Sequence, residues 1–308
     1  MSLTPLFSFL LFLLFPLSLA TQFPLPSGVQ PEGVTFARGS NYFAADIRSG
    51  SIFLVDVASG LVTTAVAPIP GRIGGGIDAS KDRLFVAGGG SFLPGVEPAL
   101  HVYDIPTGTP IATCPTGGGS LVNDVIADKD FAFYTDSFLG VVYKLSISAL
   151  PRCRFETIPL PTPAFKPEAG VFRANGIVKY KGGLIVANSE LATPFFIDIL
   201  NGNKAQRILP NGTTEGIDGL DIVRMKGGSL LYVTQNSLNR VSVWKLSIRG
   251  RRVSAKFVKN ITSSGFNVPT TVAVKKNTLV VANAAFGSVP PTGPIDDDVR
   301  LNITAIHI

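Results

Sequence analysis

Histidine and cysteine are nearly missing from this chain, and what they would supply is missing with them. Only His101 and His307 are present, both in strand-like runs, and the two cysteines, Cys114 and Cys153, lie far apart with no Cys-x-x-Cys. A tetrahedral zinc site built from imidazole and thiolate is therefore excluded, and no histidine is placed to complete a Ser-His-Asp triad. No Gly-x-Ser-x-Gly elbow and no phosphate-binding loop occurs. Gly88-Gly89-Gly90 lacks the following helix of a dinucleotide site and reads as a loop of the second repeat. Charged residues are few at 16% against 45% hydrophobic, which excludes a mainly disordered chain. No segment sustains a helical period. The net charge of +6 comes from scattered Lys and Arg, and the one cluster, Arg249-Gly250-Arg251-Arg252, falls between strand-like runs as a solvated hairpin loop. Nucleic acid is not an expected partner.

After the first twenty residues no run is apolar and long enough to span a bilayer. Met1 to Ala20 reads as a secretory signal peptide: Leu10 to Leu19 is almost wholly apolar and Ser18-Leu19-Ala20 offers the small residues of a cleavage site, although no Lys or Arg precedes the apolar core. The mature chain, 21–308, is expected to be secreted, without membrane attachment, and monomeric. Three sequons, at Asn211, Asn260 and Asn302, agree with export as glycosylation sites. Cys114 and Cys153 follow the second and third repeats, where outer strands of neighbouring units could bring them together as a disulfide; two unpaired thiols are the alternative.

The 32 glycines and 23 prolines demand many tight turns, as an all-β chain does. A pattern of polar, small and aliphatic residue recurs six times: Glu32-Gly33-Val34, Gly75-Gly76-Ile77, Asn123-Asp124-Val125, Asn175-Gly176-Ile177, Asp218-Gly219-Leu220 and Thr270-Thr271-Val272. The spacing of about 43 to 52 residues is that of four-stranded propeller blades. A six-bladed β-propeller is the predicted fold, with Phe23 to Leu25 or Asn302 to Ile308 closing the ring across the termini.

In such a ring the first strand of each blade lines the central channel, so the marker that opens it faces one mouth. Second strands return to that mouth, which places Asp46, Asp136, Asn188, Gln235 and Asn283 in a ring outside the first. Glu32, Asn123, Asn175 and Asp218 then offer two carboxylates and two amides, an oxygen-only set that suits Ca2+, with another divalent ion such as Mg2+ as the alternative. The bland reading is a hydrated channel whose Asn-Gly and Asp-Gly pairs form turns. Phe92, Phe138 and Phe286 follow second strands and are candidates for an apolar substrate-binding collar, or for packing between loops and blades.

Pro31-Glu32-Gly33, Val122-Asn123-Asp124, Ala174-Asn175-Gly176-Ile177 and Gly216-Ile217-Asp218-Gly219-Leu220 resemble the metal-binding signatures of the gluconolactonase/regucalcin-like superfamily, which includes calcium-dependent phosphotriesterases. Phe266-Asn267-Val268-Pro269-Thr270-Thr271 resembles a secreted branch of that group. The resemblance covers nearly all of the mature chain. It implies a six-bladed propeller with one divalent ion held by Glu32, Asn175 and Asp218, and Asn123 contacting substrate or metal. Two features depart from the group: no histidine stands at a marker, and the arginine that holds sugar hydroxyls has only Arg72 and Arg173 as candidates.

The expected activity is calcium-dependent hydrolysis of a lactone or small ester on a small apolar or weakly polar organic substrate. Asp218 is the candidate catalytic residue, as general base or nucleophile. A hetero-Diels–Alder type cyclase of specialised metabolism on the same propeller, and a non-catalytic binding propeller with a structural ion, are the alternatives.

Overall fold

The computed structural model describes residues 20–90, 95–209, 214–290 and 298–308. Six antiparallel sheets follow one another along the chain, each running from the axis outward. Blade 1 is Pro31–Phe36, Tyr42–Asp46, Ile52–Val55 and Val62–Val66; blade 2 is Ile77–Ser80, Arg83–Ala87, Ala99–Asp104 and Pro110–Pro115. Blade 3 is Leu121–Ala127, Phe131–Asp136, Val141–Ser146 and Phe155–Pro159; blade 4 is Ala174–Tyr180, Gly183–Asn188, Thr193–Asp198 and Lys204–Arg207. Blade 5 has the longest strands, Ile217–Met225, Gly228–Gln235, Arg240–Arg249 and Arg252–Thr262. Blade 6 is Pro269–Lys275, Thr278–Asn283 and Asn302–His307, completed by the N-terminal strand Thr21–Pro24. The two termini thus pair with each other, Phe23 opposite Ile303. The only helices among the described residues are two 3-10 turns, and none is long and apolar enough to cross a membrane.

The core is divided into six apolar seams, one between each pair of neighbouring blades. Alternation along the second strands feeds both seams at once, because successive side chains point to opposite faces of a sheet. In blade 2, Leu84 and Val86 pack toward blade 1 while Phe85 and Ala87 pack toward blade 3. In blade 4, Leu184 and Val186 face blade 3 while Ile185 and Ala187 face blade 4's other neighbour. With both faces buried, these strands read as unbroken apolar runs such as Gly183–Asn188, whose six residues are all buried.

The repeated marker has a structural cause. In blades 1, 3, 4, 5 and 6 the register between first and second strand shifts across the marker, between Pro31 and Gly33, Val122 and Val125, Ala174 and Ile177, Ile217 and Leu220, and Pro269 and Val272. A bulge inserts an unpaired residue and re-aims its side chain, here toward the channel mouth. The small residue after the marker answers to crowding at the axis. A Cβ on Gly219 would lie 2.7 Å from the Thr270 carbonyl oxygen, and one on Gly76 would lie 2.7 Å from the Asp124 Cα.

Three aspartates tie neighbouring first strands together further down the channel. Asp78 accepts the Ala127 N–H at 2.8 Å, Asp124 the Ile177 N–H at 3.0 Å, and Asp221 the Val274 N–H at 2.5 Å. Gly88-Gly89-Gly90, expected as a blade-2 loop, instead sends Gly89–Gly90 to pair with Leu121 and Val122 at the inner edge of blade 3. A side chain on Gly89 would collide with Ile73, so only glycine fits there.

Cys114, on the outer strand of blade 2, is joined by a disulfide to Cys153, in the turn between the third and fourth strands of blade 3. Of the sequon asparagines, Asn260 is exposed on the outer strand of blade 5. Asn302 sits in the closing strand with its Oδ1 accepting from Asn283 at 2.9 Å. Asn211 and residues 1–19 of the signal segment lie outside the described residues.

Candidate functional site

Four of the six markers converge on one cavity of about 380 Å3 at the channel mouth: Glu32 from blade 1, Asn123 from blade 3, Asn175 from blade 4 and Asp218 from blade 5. The blade-2 marker, Gly75, lines the wall without offering a side chain. The sixth marker turns away: Thr270 is fully buried and donates its hydroxyl to the Glu32 carbonyl at 2.8 Å, stapling blade 6 to blade 1.

Electrostatics at the mouth is dominated by two carboxylates with little solvent. Glu32 and Asp218 are 7% and 6% exposed. Burial pushes the Glu32 carboxyl well above its ordinary range, and the charges of Asp218 and Asp124 push it further. Burial likewise raises Asp218 to about 7, against which hydrogen bonds from Asn236 and Asn175 favour the carboxylate. The Asn236 amide donates to Asp218 Oδ2 at 3.2 Å, and the Asn175 amide donates to Ser189 at 3.0 Å.

Two oxygens in this cavity are buried with no hydrogen-bond partner, Glu32 Oε2 and Asn123 Oδ1. An orphaned buried acceptor costs about 1–3 kcal/mol, more when charged. A hard divalent cation would satisfy both and relieve the repulsion between Glu32 and Asp218, so the oxygen-only donor set fits Ca2+. Among the described residues no three of His, Cys, Asp and Glu come together as a metal cluster, so this set depends on its two amides.

Apolar residues make up the rest of the wall. Ile47, Ile73 and Phe286 pack together on the side of blades 1, 2 and 6, with Leu121, Val122, Ile217 and Phe172 completing it. Phe286 therefore lines the cavity, whereas Phe138 does not: it is buried and meets Phe172 edge-on at 5.4 Å, supporting it from behind. Phe172 is 44% exposed at the mouth and takes the place expected of Phe138. Phe92 lies outside the described residues.

The second ring closes turns and does not reach the cavity. Asp46 accepts from the backbone of Gln30 and Arg48, and Asp136 from Leu121, Phe138, Leu139 and the hydroxyls of Ser120 and Tyr143. Asn188, Gln235 and Asn283 are held in the same way by neighbouring backbone or side-chain groups. Both arginine candidates are engaged elsewhere. Arg72 donates to the Tyr103 hydroxyl at 3.1 Å, and Arg173 is ion-paired with Glu168 and Glu190. Among the described residues no Lys or Arg lines the cavity. His101 lies in the third strand of blade 2, away from the mouth, held neutral by burial with its pKa lowered to about 3.

Asn236, Ser189 and Phe172 escaped the sequence reading. Asn236 and Ser189 each stand one residue beyond a second-ring position, Gln235 and Asn188, so the signal was a ring read one residue short.

No protein-family model matches the chain, and no curated protein matches it at significant similarity. Solved structures do share its fold. A catalytically inactive virginiamycin B lyase from Staphylococcus aureus with quinupristin aligns over 94% of this chain and 99% of its own at 10% identity, TM-score 0.57. A luciferin-regenerating enzyme aligns over 94% and 95% at 13% identity, TM-score 0.58. A protein of unknown function from Bacteroides thetaiotaomicron aligns over 93% and 72% at 14% identity, TM-score 0.62. At these identities the similarity establishes a common propeller fold, one that includes enzymes.

Proposed function

We propose that this chain is an exported hydrolase that uses a divalent cation, Ca2+ by its donor set, to open a lactone or cleave a small uncharged ester. The observation that carries this reading is the convergence of Glu32, Asn123, Asn175 and Asp218, two of them with orphaned oxygens, in a cavity whose remaining large side chains are Ile, Leu, Val and Phe. The four side chains would hold the ion. A cation bound there supplies Lewis-acid polarisation of a carbonyl.

The chain's own residues supply the rest. Asp218, its carboxylate fixed by Asn236, is the group that would accept the proton of the attacking water. Water adds to the acyl carbon, the acyl C–O bond breaks, and the proton passes to the departing alkoxide. The apolar wall binds the body of the substrate and thins out competing water. The absence of Lys and Arg from that wall disfavours anionic and hydroxyl-rich substrates. The disulfide between blades 2 and 3 supports an oxidising destination and hence export.

The test is turnover of a panel of lactones and aryl esters with and without chelator, on wild type, Asp218→Asn and Asn123→Ala. Loss of at least about a hundredfold on chelation and in Asp218→Asn is expected, as for removal of a principal electrostatic or acid–base group. Undiminished turnover in chelator would sink the reading. Ion binding without turnover on any ester would favour the cyclase, whose need for an apolar, weakly charged channel this wall also meets.

A further inference from the structure

Blade 5 carries the basic charge of the whole molecule. Between Ile217 and Thr262 there are nine Lys and Arg against two Asp, a formal +7 where the entire chain has +6, so the remainder is close to neutral. Both aspartates, Asp218 and Asp221, belong to the axial cavity and the channel. The long strands of blade 5 carry the cations to the face opposite the catalytic mouth, where first-to-second and third-to-fourth turns lie.

On that face a groove of about 730 Å3 runs between blades 4 and 5, with Lys181, Arg224 and Lys245 along its walls and, among the described residues, no acidic one. Beside it the turn Arg249-Gly250-Arg251-Arg252 stands exposed. None of these six cations is ion-paired among the described residues, whereas Arg38, Lys129, Lys144, Arg173 and Lys179 all have carboxylate partners.

We propose that the groove and turn of blade 5 bind a linear acidic polysaccharide, docking the enzyme on a carboxylated or sulfated matrix while its catalytic mouth stays open on the other face. Six unpaired like charges, five on blade 5 and Lys181 on the facing edge of blade 4, repel one another, and a polymer bearing one anion per repeat neutralises them and releases its condensed counterions. A groove, unlike a flat basic face, selects a chain. Met225 and Ile248, 50% and 39% exposed along it, offer apolar contact to the C–H faces of sugar rings. Single-stranded nucleic acid would call for stacking aromatics, and the one aromatic in the groove, Tyr180, is only 3% exposed. A membrane surface would call for apolar side chains at the projecting tip, which holds only Arg and Gly.

The experiment is calorimetric titration of the mature chain with polygalacturonate and with dextran sulfate, set against single-stranded oligonucleotides and phosphatidylserine vesicles. Binding to at least one polysaccharide is expected, weakening at least about tenfold between about 50 and about 200 mM salt. The triple variant Arg249→Glu/Arg251→Glu/Arg252→Glu, and separately Arg224→Gln/Lys245→Gln, should each weaken it about tenfold or more. The equally charged triple Lys129→Glu/Arg152→Glu/Arg154→Glu on blade 3 should change it less than about threefold. Equal losses in the two triples, no polysaccharide binding at low salt, or tighter binding to the oligonucleotide or the vesicles would each overturn the proposal. Ester turnover is read in parallel and is not expected to change, so this site and the axial one fail or stand separately.

Discussion

At the scale of single residues, the cost of the site is written in Glu32 and Asp218. Both carboxyls are shifted upward, Asp218 from 3.8 to about 7, so the folded chain without cation holds protons that the unfolded chain has released. The sign follows from linkage: stability is greatest at acid pH and falls as pH rises from 3.8 through about 7, where both states become ionised and the folded one bears the penalty. In chelator, unfolding free energy is expected to drop across that window by an amount on the order of 4 kcal/mol from Asp218 alone, at about 1.36 kcal/mol per pKa unit, with Glu32 adding to it. Asp78, Asp124 and Asp221, buried further down the channel, are also raised, to about 7, 7 and 6, and carry part of the same slope. Saturating Ca2+ should remove the part of the drop that belongs to Glu32 and Asp218 and leave the part that belongs to the deeper aspartates. Asp218→Asn should therefore make the pH profile shallower without flattening it, stabilise the cation-free protein above pH 7 and abolish the Ca2+ response. Denaturant midpoints measured across pH, with and without chelator, check this, and a flat wild-type profile would refute it. Glu32, Asn123, Asn175 and Asp218 were legible in the sequence because each stands at the same place in a repeat. Phe138 was misplaced and Phe172 overlooked because position after a strand does not say which way a ring turns: Phe138 went inward and became the support for its neighbour.

At the scale of an element, the bulge at the start of the first strand in blades 1, 3, 4, 5 and 6 links repeat to function. In blades 1, 3, 4 and 5 it exposes the marker side chain toward the cavity, and in blades 1, 4 and 5 the glycine that follows lets the next blade's backbone approach. A Cβ on Gly176 would fall 2.7 Å from the Leu220 nitrogen and closer still to the Asp218 carbonyl. Neither is the end of a flexible side chain, so Gly176→Ala must spread blades 4 and 5 and displace Asp218. A loss of about 2–4 kcal/mol is expected, with cation affinity falling alongside it. Gly170→Ala is the control: its backbone has φ +78° but nothing surrounds the added atom, so about 1 kcal/mol is expected. Denaturation and Ca2+ titration of both variants decide the matter; equal losses would show that crowding at the axis does not govern the site. First and second strands were legible because apolar runs and bulge glycines recur. Outer strands such as Val62–Val66 and Lys204–Arg207 were not, since they bury little and carry no shared pattern. The basic character of blade 5 was hidden for a different reason: its cations are spread over nearly forty residues of sequence and gather only when four long strands fold side by side.

At the scale of the whole molecule, a ring must be closed, and two devices act at different places. The disulfide ties blade 2 to blade 3 across 39 residues, with Cys114 buried and Cys153 exposed. Replacing both cysteines by serine should cost about 2–4 kcal/mol through the freer unfolded chain, read as a lowered denaturant midpoint in the variant. Closure between blades 6 and 1 has no covalent help and depends on Thr21–Pro24. Phe23 and Leu25, 4% and 1% exposed, join Val34 and Tyr42 of blade 1 to Ile303 and Val280 of blade 6, with the Phe23 ring edge-on to Tyr42 at 5.7 Å. Phe23→Ala should therefore cost about 3–5 kcal/mol, as for a buried phenylalanine whose site collapses little. Because each seam is separate, the damage should also be local. Hydrogen exchange is expected to quicken in 31–36 and 302–307 at the opened seam, while the seam between blades 3 and 4 keeps its protection. Uniform loss around the ring would mean that the six seams unfold as one unit and that closure is a property of the whole core, not of the strand formed by the first residues of the propeller.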